Sequence, residues 1–267
     1  MRAVIAVASR LRDPGARRMR TTARRKWVGA CATGALALYA SVLRPRMQWL
    51  GTTKEERTAT YPGDDLIPGA RRYGAMATTI AAPPERVWPW LVEMGCDRAG
   101  FYSFDRLDNA GRPSADRIHP EWQNLRAGAR IASAPDARRW FDVALLVPEQ
   151  ALVLRASVTV PAARNFDPAL RLPPAYSDST WGFFLTPTAE RHTRLVVTGM
   201  GRGKPHPPIV VANWLFWDPA HWMMQLKQFA ALRRRAESLS NVPDATPANA
   251  GAGLADESTL HSAAAPA

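Results

Sequence analysis

Cysteine is scarce in this chain of 267 residues: there are two, Cys31 and Cys96. Cys31 lies in an apolar N-terminal run, and Cys96 follows the first helical pattern of the body. A bond between them would tie those two parts together, so the fold is expected to be stable without a disulfide. There is no CxxC pair, and the five histidines (His119, His192, His206, His221 and His261) fall at no metal-ligand spacing. A metal site is therefore not expected, and no cofactor is expected either. Acidic residues are rare at the start of the chain. Residues 1–60 hold 13 Lys/Arg and 3 Asp/Glu, a net of +10, whereas the rest holds 22 basic and 20 acidic residues, a net of +2. The body is nearly neutral, which excludes a basic nucleic-acid-binding face on it.

What is present begins with that basic segment. Residues 10–26 hold eight Arg/Lys and end in Arg24-Arg25-Lys26. An uncharged run of 17 residues follows, Trp27 to Leu43, closed by Arg44-Pro45-Arg46. A membrane span needs about 17–25 apolar residues, so the length is at the lower limit, and the run is rich in Ala and Gly. Three readings compete. One is a single-pass signal anchor over 27–43, with the N-terminus cytoplasmic and the body on the extracytoplasmic side. The second is a cleaved export signal, with Arg24-Arg25 as a twin-arginine pair and a small-x-small site at Ala35-Leu36-Ala37. The third is a buried helix of a soluble cytoplasmic protein, which the flanking arginines disfavour. Met19, followed by RTTARRKW, is an alternative start.

The organisation expected is a basic tail over 1–26, the transmembrane or signal-anchor segment over 27–43, a connector over 44–72, a domain over 73–239 and a disordered tail over 240–267. The connector contains YPGDDLIPGA (61–70), a turn-rich loop in which paired aspartates usually cap backbone. Residues 78–109 open the domain. An alternating strand (Thr78, Ile80, Ala82) ends at Pro83-Pro84, because proline fixes φ and lacks a donor. A short helix then carries Val87, Trp88, Trp90, Leu91 and Met94 and breaks at Gly95. Further alternating runs predict strands near 129, 139–148, 150–160, 177–186 and 193–201. Trp181, Phe183 and Leu185 fall on one strand face, with Thr180, Gly182 and Phe184 on the other. Asp218-Pro219 reads as the cap and first turn of a long terminal helix with an apolar face at Trp222, Leu226, Phe229, Leu232 or Arg233, and Ala236.

The block "APPExVW", the short helix, the Gly-aromatic-Tyr-Ser segment, the "PGDDL-P" loop and the "DP-HWMM…RRRAE" helix together resemble the START-like, or SRPBCC, superfamily. The resemblance covers roughly residues 55–239. It implies an α+β helix-grip fold, in which a curved antiparallel sheet wraps around a long C-terminal helix and encloses a hydrophobic cavity. Its expected partner is a small hydrophobic ligand.

Cavity liners expected on this basis are Trp88, Trp140, Trp181, Phe183, Met223, Leu226 and Phe229, each of which is also an ordinary core residue. The loop from Arg98 to Asp105 is the stronger lead, with Arg98, Tyr102 and Asp105 set to meet a polar head group or to fix the loop. His119 is a loop histidine with a pKa near neutrality. HPPIVVANWLFW (206–217) is read as a lid, a membrane-contacting loop or a further core helix, with core preferred. The first functional expectation is a membrane-tethered binding module for a lipid, isoprenoid or polyketide-like molecule. The alternative is a cyclase- or dehydratase-like enzyme, with Tyr102, Arg98, Asp105 and His119 polarising a carbonyl.

Overall fold

A computed structural model describes residue 27, residues 29–204 and residues 207–238; the basic tail over 1–26 and the tail over 240–267 lie outside them. Six antiparallel strands form one sheet in the order β1-β6-β5-β4-β3-β2. They are β1 (Arg71–Ile80), β2 (Arg130–Ala132), β3 (Trp140–Val147), β4 (Ala151–Thr159), β5 (Tyr176–Pro187) and β6 (Thr193–Lys204). Each expected strand is present, because the alternation that predicts it also decides which side of the sheet each residue faces. Glu149, in the left-handed region at φ 60°, turns β3 into β4. The β5–β6 hairpin is the longest pairing, from Tyr176 opposite Lys204 to Pro187 opposite Thr193, and β1 closes onto β6 with Ile80 opposite Thr193.

The N-terminal helix α1 occupies residues 29–48 and contains a π-helical turn at Tyr39–Leu43. Two short helices follow, α2 (Lys54–Thr58) and α3 (Pro84–Val92). In α3 the expected proline signal holds: Pro84 is the first residue after β1 to turn helical, and Val87, Trp90 and Leu91 are buried. A further turn, α4, spans Asp105–Asp108, and the terminal helix α5 spans Asp218–Glu237.

The inner sheet face and α5 enclose the main core. Leu152, Leu154, Phe183, Leu195 and Leu232 are fully buried there, with Trp222 and Phe229 nearly so. Burying each such side chain contributes about 1.5–3 kcal/mol.

Of residues 44–72, expected as a connector, 44–48 belong to α1, 71–72 open β1, and the stretch over 54–68 folds over the outer face. Tyr61 and Leu66 cover Ala77, Val153, Phe184 and Val196, and Tyr61 stacks on Phe184 at 4.5 Å. Thr53 and Glu56 form a capping box at the start of α2, and Glu56 also pairs with Arg194 at 2.7 Å. Asp64 accepts from the Tyr61 N–H and pairs with Arg72, which is the backbone-capping role. Asp178, fully buried, receives Arg155, Arg202 and Ser157. The same two arginines donate to the carbonyls of Leu66 and Pro68, fastening this layer to the sheet.

Three expectations need correction. Asp218 does not cap α5: Trp217 before it is already helical (φ −72°, ψ −44°), and the helix runs back without a break through Asn213–Trp217 to Pro207. The π-helical turn at Asn213–Trp217 lets Pro219 follow without ending the helix. Second, among the described residues no helix is long and apolar enough to cross a membrane. The transmembrane helix expected over 27–43 is not found among the described residues, because the uncharged part of α1 is short and the helix continues through Arg44 and Arg46. The Pro207–Trp217 segment is helical but no residue of it is buried, so it is not core.

Candidate functional site

A half-enclosed cavity of about 270 Å³ lies between β1, β5 and β6 on one side and the start of α5 on the other. Its floor is Tyr73. A register irregularity between Arg72 and Gly74 turns this side chain onto the inner face. Its ring then lies across β6, where Gly199 and Gly201 leave room; a Cβ on Gly199 would fall 2.2 Å from Tyr73 Cζ. The Tyr73 hydroxyl donates to the Thr180 carbonyl of β5 at 3.3 Å. Although 49% of Tyr73 stays accessible, that surface opens into the cavity, and the phenol pKa is pushed up to about 12 by burial and then by Asp218. The phenol is therefore a hydrogen-bond donor at any physiological pH.

The walls combine apolar rings with a few polar groups. Trp181 projects from β5 and Trp222 from α5. The Trp181 indole Nε1 is buried without a protein partner, and so is Gln225 Oε1. The second orphan has a traceable cause. Gln228 Nε2 donates to the Phe101 carbonyl at 2.9 Å, which makes Gln228 Oε1 an acceptor; Gln225 Nε2 donates to it at 2.8 Å. The relay of amides thus fixes Gln225 with its oxygen as the remaining acceptor. The residues that carry this unpaired donor and this unpaired acceptor both line the cavity. Leaving such groups unpaired costs about 1–3 kcal/mol each, which a ligand with a matching group recovers.

His221 lies one helical turn after Asp218 and faces the same cavity, with its ring centroid 6.3 Å from that of Trp181. Burial holds the His221 pKa below the usual imidazole range, against the opposing charge of Asp218. The neutral ring offers one donor and one acceptor nitrogen. At the rim, Arg44 of α1 donates to Asp218 Oδ2 through Nε at 3.2 Å and Nη2 at 2.9 Å. Among the described residues no group of His, Cys, Asp and Glu is placed to hold a metal ion.

Of the residues expected at the site, Trp181 lines this cavity. Phe183 and Phe229 are core; Trp88 and Leu226 pack against that core; Met223 is exposed; and Trp140 opens β3 opposite Ala132, under the Arg130 guanidinium at 4.4 Å. Arg98, Tyr102, Asp105 and His119 do not line it. Tyr102 and His119 instead bind Glu93, which is fully buried and was not among the expected residues. Tyr102 donates to Glu93 Oε1 at 2.8 Å, and the His119 N–H donates to Oε2 at 3.0 Å. Burial raises the Glu93 pKa, partly offset by these two hydrogen bonds. Arg98 donates to the carbonyls of Val92 and Trp122, Asp105 accepts from Ser114, and the His119 ring lies 4.4 Å from Trp122. The Arg235 guanidinium stacks over Tyr102 at 4.8 Å. In the cavity the structure assembles the same four residue types from other positions: Tyr73, Arg44, Asp218 and His221. The one sequence signal for them was Gly199 and Gly201 in a strand, which marks a close approach by a neighbouring group.

The sheet order and terminal helix settle the architecture. The fold is a helix grip. No family model and no curated protein matches the sequence. Solved structures similar to the chain include a protein from Chromobacterium violaceum, at 14% identity and TM-score 0.34, covering 64% of this chain and 99% of that one. Another is CalU16 from Micromonospora echinospora, at 15% identity and TM-score 0.31, covering 64% and 88%. A third is the Zhui aromatase/cyclase from a Streptomyces, at 14% identity and TM-score 0.28, covering 63% and 94%. Likenesses this loose say nothing of ligand or activity.

Proposed function

We propose that this protein is a binding module that holds one small, largely apolar molecule carrying a hydroxyl or enol group. The observation that carries this reading is the pair of unpaired groups, Trp181 Nε1–H and Gln225 Oε1, on two residues that line one cavity walled by Tyr73, Trp181 and Trp222. A hydroxyl both donates and accepts, so it suits such a pair. The volume of about 270 Å³ is just under the range of about 300–1,000 Å³ typical of drug-sized pockets, which favours a compact occupant. Native mass spectrometry of the purified full chain tests it. The expected result is a bound molecule whose occupancy falls in the Trp181→Phe, Gln225→Leu double variant. Protein that carries no added mass, or keeps it unchanged in that variant, overturns the reading.

A second reading is favoured by Tyr73, His221 and Asp218 facing one space. A neutral His221 suits a general base, and a protonated Tyr73 that turns its proton from the Thr180 carbonyl suits a donor to a substrate carbonyl oxygen, as a cyclase- or dehydratase-like enzyme requires. On this reading Tyr73→Phe and His221→Ala each lower turnover of an apolar carbonyl compound by about 10²–10⁴ while the ligand still binds.

We also infer that the cavity is held beside a membrane. Support comes from the eight basic residues over 10–26 and the uncharged run that follows them. Contact with the bilayer, rather than passage through it, is the form proposed here.

A further inference from the structure

Two uncharged stretches stand side by side at the cavity rim. In α1, residues 29–43 carry no charge; in the lead to α5, residues 207–217 (PPIVVANWLFW) carry none either. Tyr39 packs edge-on against Trp214 at 5.1 Å and donates to the Trp214 carbonyl at 2.6 Å, while Arg44 reaches Asp218. These contacts advance together along both helices, so the two run parallel. Apart from Tyr39, which packs against the core, the pair stands clear of it: none of Tyr39–Leu43, Pro207–Ala212 or Asn213–Trp217 contains a buried residue. Leu36, Leu38 and Leu43 are exposed on one helix, and Val211, Phe216 and Trp217 on the other, with Phe216 at 73%. Apolar exposure of this kind, gathered on one structure, marks an interaction surface.

Charge identifies the occupant. The segment preceding α1 holds eight basic residues, α1 closes on Arg44 and Arg46, and residues 1–60 carry a net of +10. A second copy would bring two such segments together against their repulsion. Residues 240–267 contain as large apolar side chains only Val242, Leu254 and Leu260, too few to cover the patch. An anionic bilayer supplies both what the helices lack, an apolar phase for Phe216 and Trp217, and what the basic segment needs, a negative surface.

We propose that the paired helices form a docking surface for an anionic lipid bilayer, seated at its interface with the cavity rim turned toward the lipid. This deepens the membrane reading and rests on it, but not on the identity of any ligand. Asn213 and Trp217 line the cavity from the same helix that would enter the interface, so the rim and the docking surface are one structure. A molecule dissolved in the bilayer would then reach Trp181 and Gln225 without crossing water.

Flotation of the full chain with vesicles tests this, using phosphatidylcholine alone and phosphatidylcholine mixed with phosphatidylserine. The expected result is binding to the mixed vesicles, weakened by high salt. A Val211→Asp, Phe216→Asp variant, at two exposed residues outside the cavity lining, should lose about tenfold or more of the bound fraction with an unchanged melting temperature. Replacing Arg24 and Arg25 by Glu should weaken binding to the anionic vesicles alone. Equal binding by the aspartate variant overturns the proposal. So does a self-associated protein that becomes monomeric in that variant and ignores vesicles, or one released only by detergent, which would be a spanning protein. Native mass spectrometry of the same variant separates the two readings: ligand retained with vesicle binding lost leaves the cavity assignment intact.

Discussion

Gln225 donates its side-chain amide to Gln228 at 2.8 Å, and this single bond joins the packed interior to the cavity. Gln228 is itself fixed by the Phe101 carbonyl, so the direction of the relay is set from within the core.

The two glutamines should therefore respond oppositely to removal. Gln228→Leu strands the Phe101 carbonyl and the Gln225 amide in a buried place, at about 1–3 kcal/mol for each lost partner. Gln225→Leu removes an acceptor that already lacks a protein partner, so stability should hold or rise while ligand occupancy falls. Urea unfolding and native mass spectrometry, run on both variants, check the contrast; equal destabilisation would contradict it.

Tyr73 depends on the absence of a side chain at Gly199. Gly199→Ala places a methyl 2.2 Å from the ring, so the ring must leave the cavity floor or the strand must shift. The expected loss is about 1–3 kcal/mol, the usual range for overpacking. Tyr73→Ala in the same chain should restore much of it, because the obstructing ring is gone. Non-additive melting temperatures across this double-mutant cycle are the signature.

Asp108 gives a pH dependence with a definite sign. Burial, and then the charge of Asp105, push its pKa up to about 6. The folded state thus holds this proton more tightly than the unfolded chain, whose Asp titrates near about 3.9. The resulting stability is complete below about pH 4 and is lost as pH rises through about 6. Asp108→Asn should remove that slope and raise stability at neutral pH by about 1 kcal/mol, after allowing for solvent screening. Denaturant midpoints measured across pH 4 to 8 decide it.

His221 acts in the opposite direction on the ligand. Its pKa is lowered by burial, so the imidazole is neutral at pH 7 and gains charge only below its usual range. Occupancy by an apolar ligand should be level from neutral pH upward and decline in acid. His221→Gln should flatten that decline; an unchanged acid limb would assign it to another group.

Sequence by itself determined the strands, the Pro84 helix start and the inner and outer faces of β5. Two-residue alternation and proline chemistry are local, and they leave a strand few alternatives. It also marked the contrast between the basic N-terminal segment and a near-neutral body. What only the tertiary structure decided is which polar residues face the cavity. Arg98, Tyr102, Asp105 and His119 look available on loops, yet Glu93, at the C-terminal end of the helix Pro84–Val92, draws Tyr102 and His119 inward because a buried carboxylate needs donors. Tyr73, Gln225 and His221 gave no local sign of convergence, since β1 and α5 are far apart in the chain. The β1 irregularity, the two glycines of β6 and the unbroken entry into α5 bring them together, and each acts through contacts across the fold rather than along the sequence.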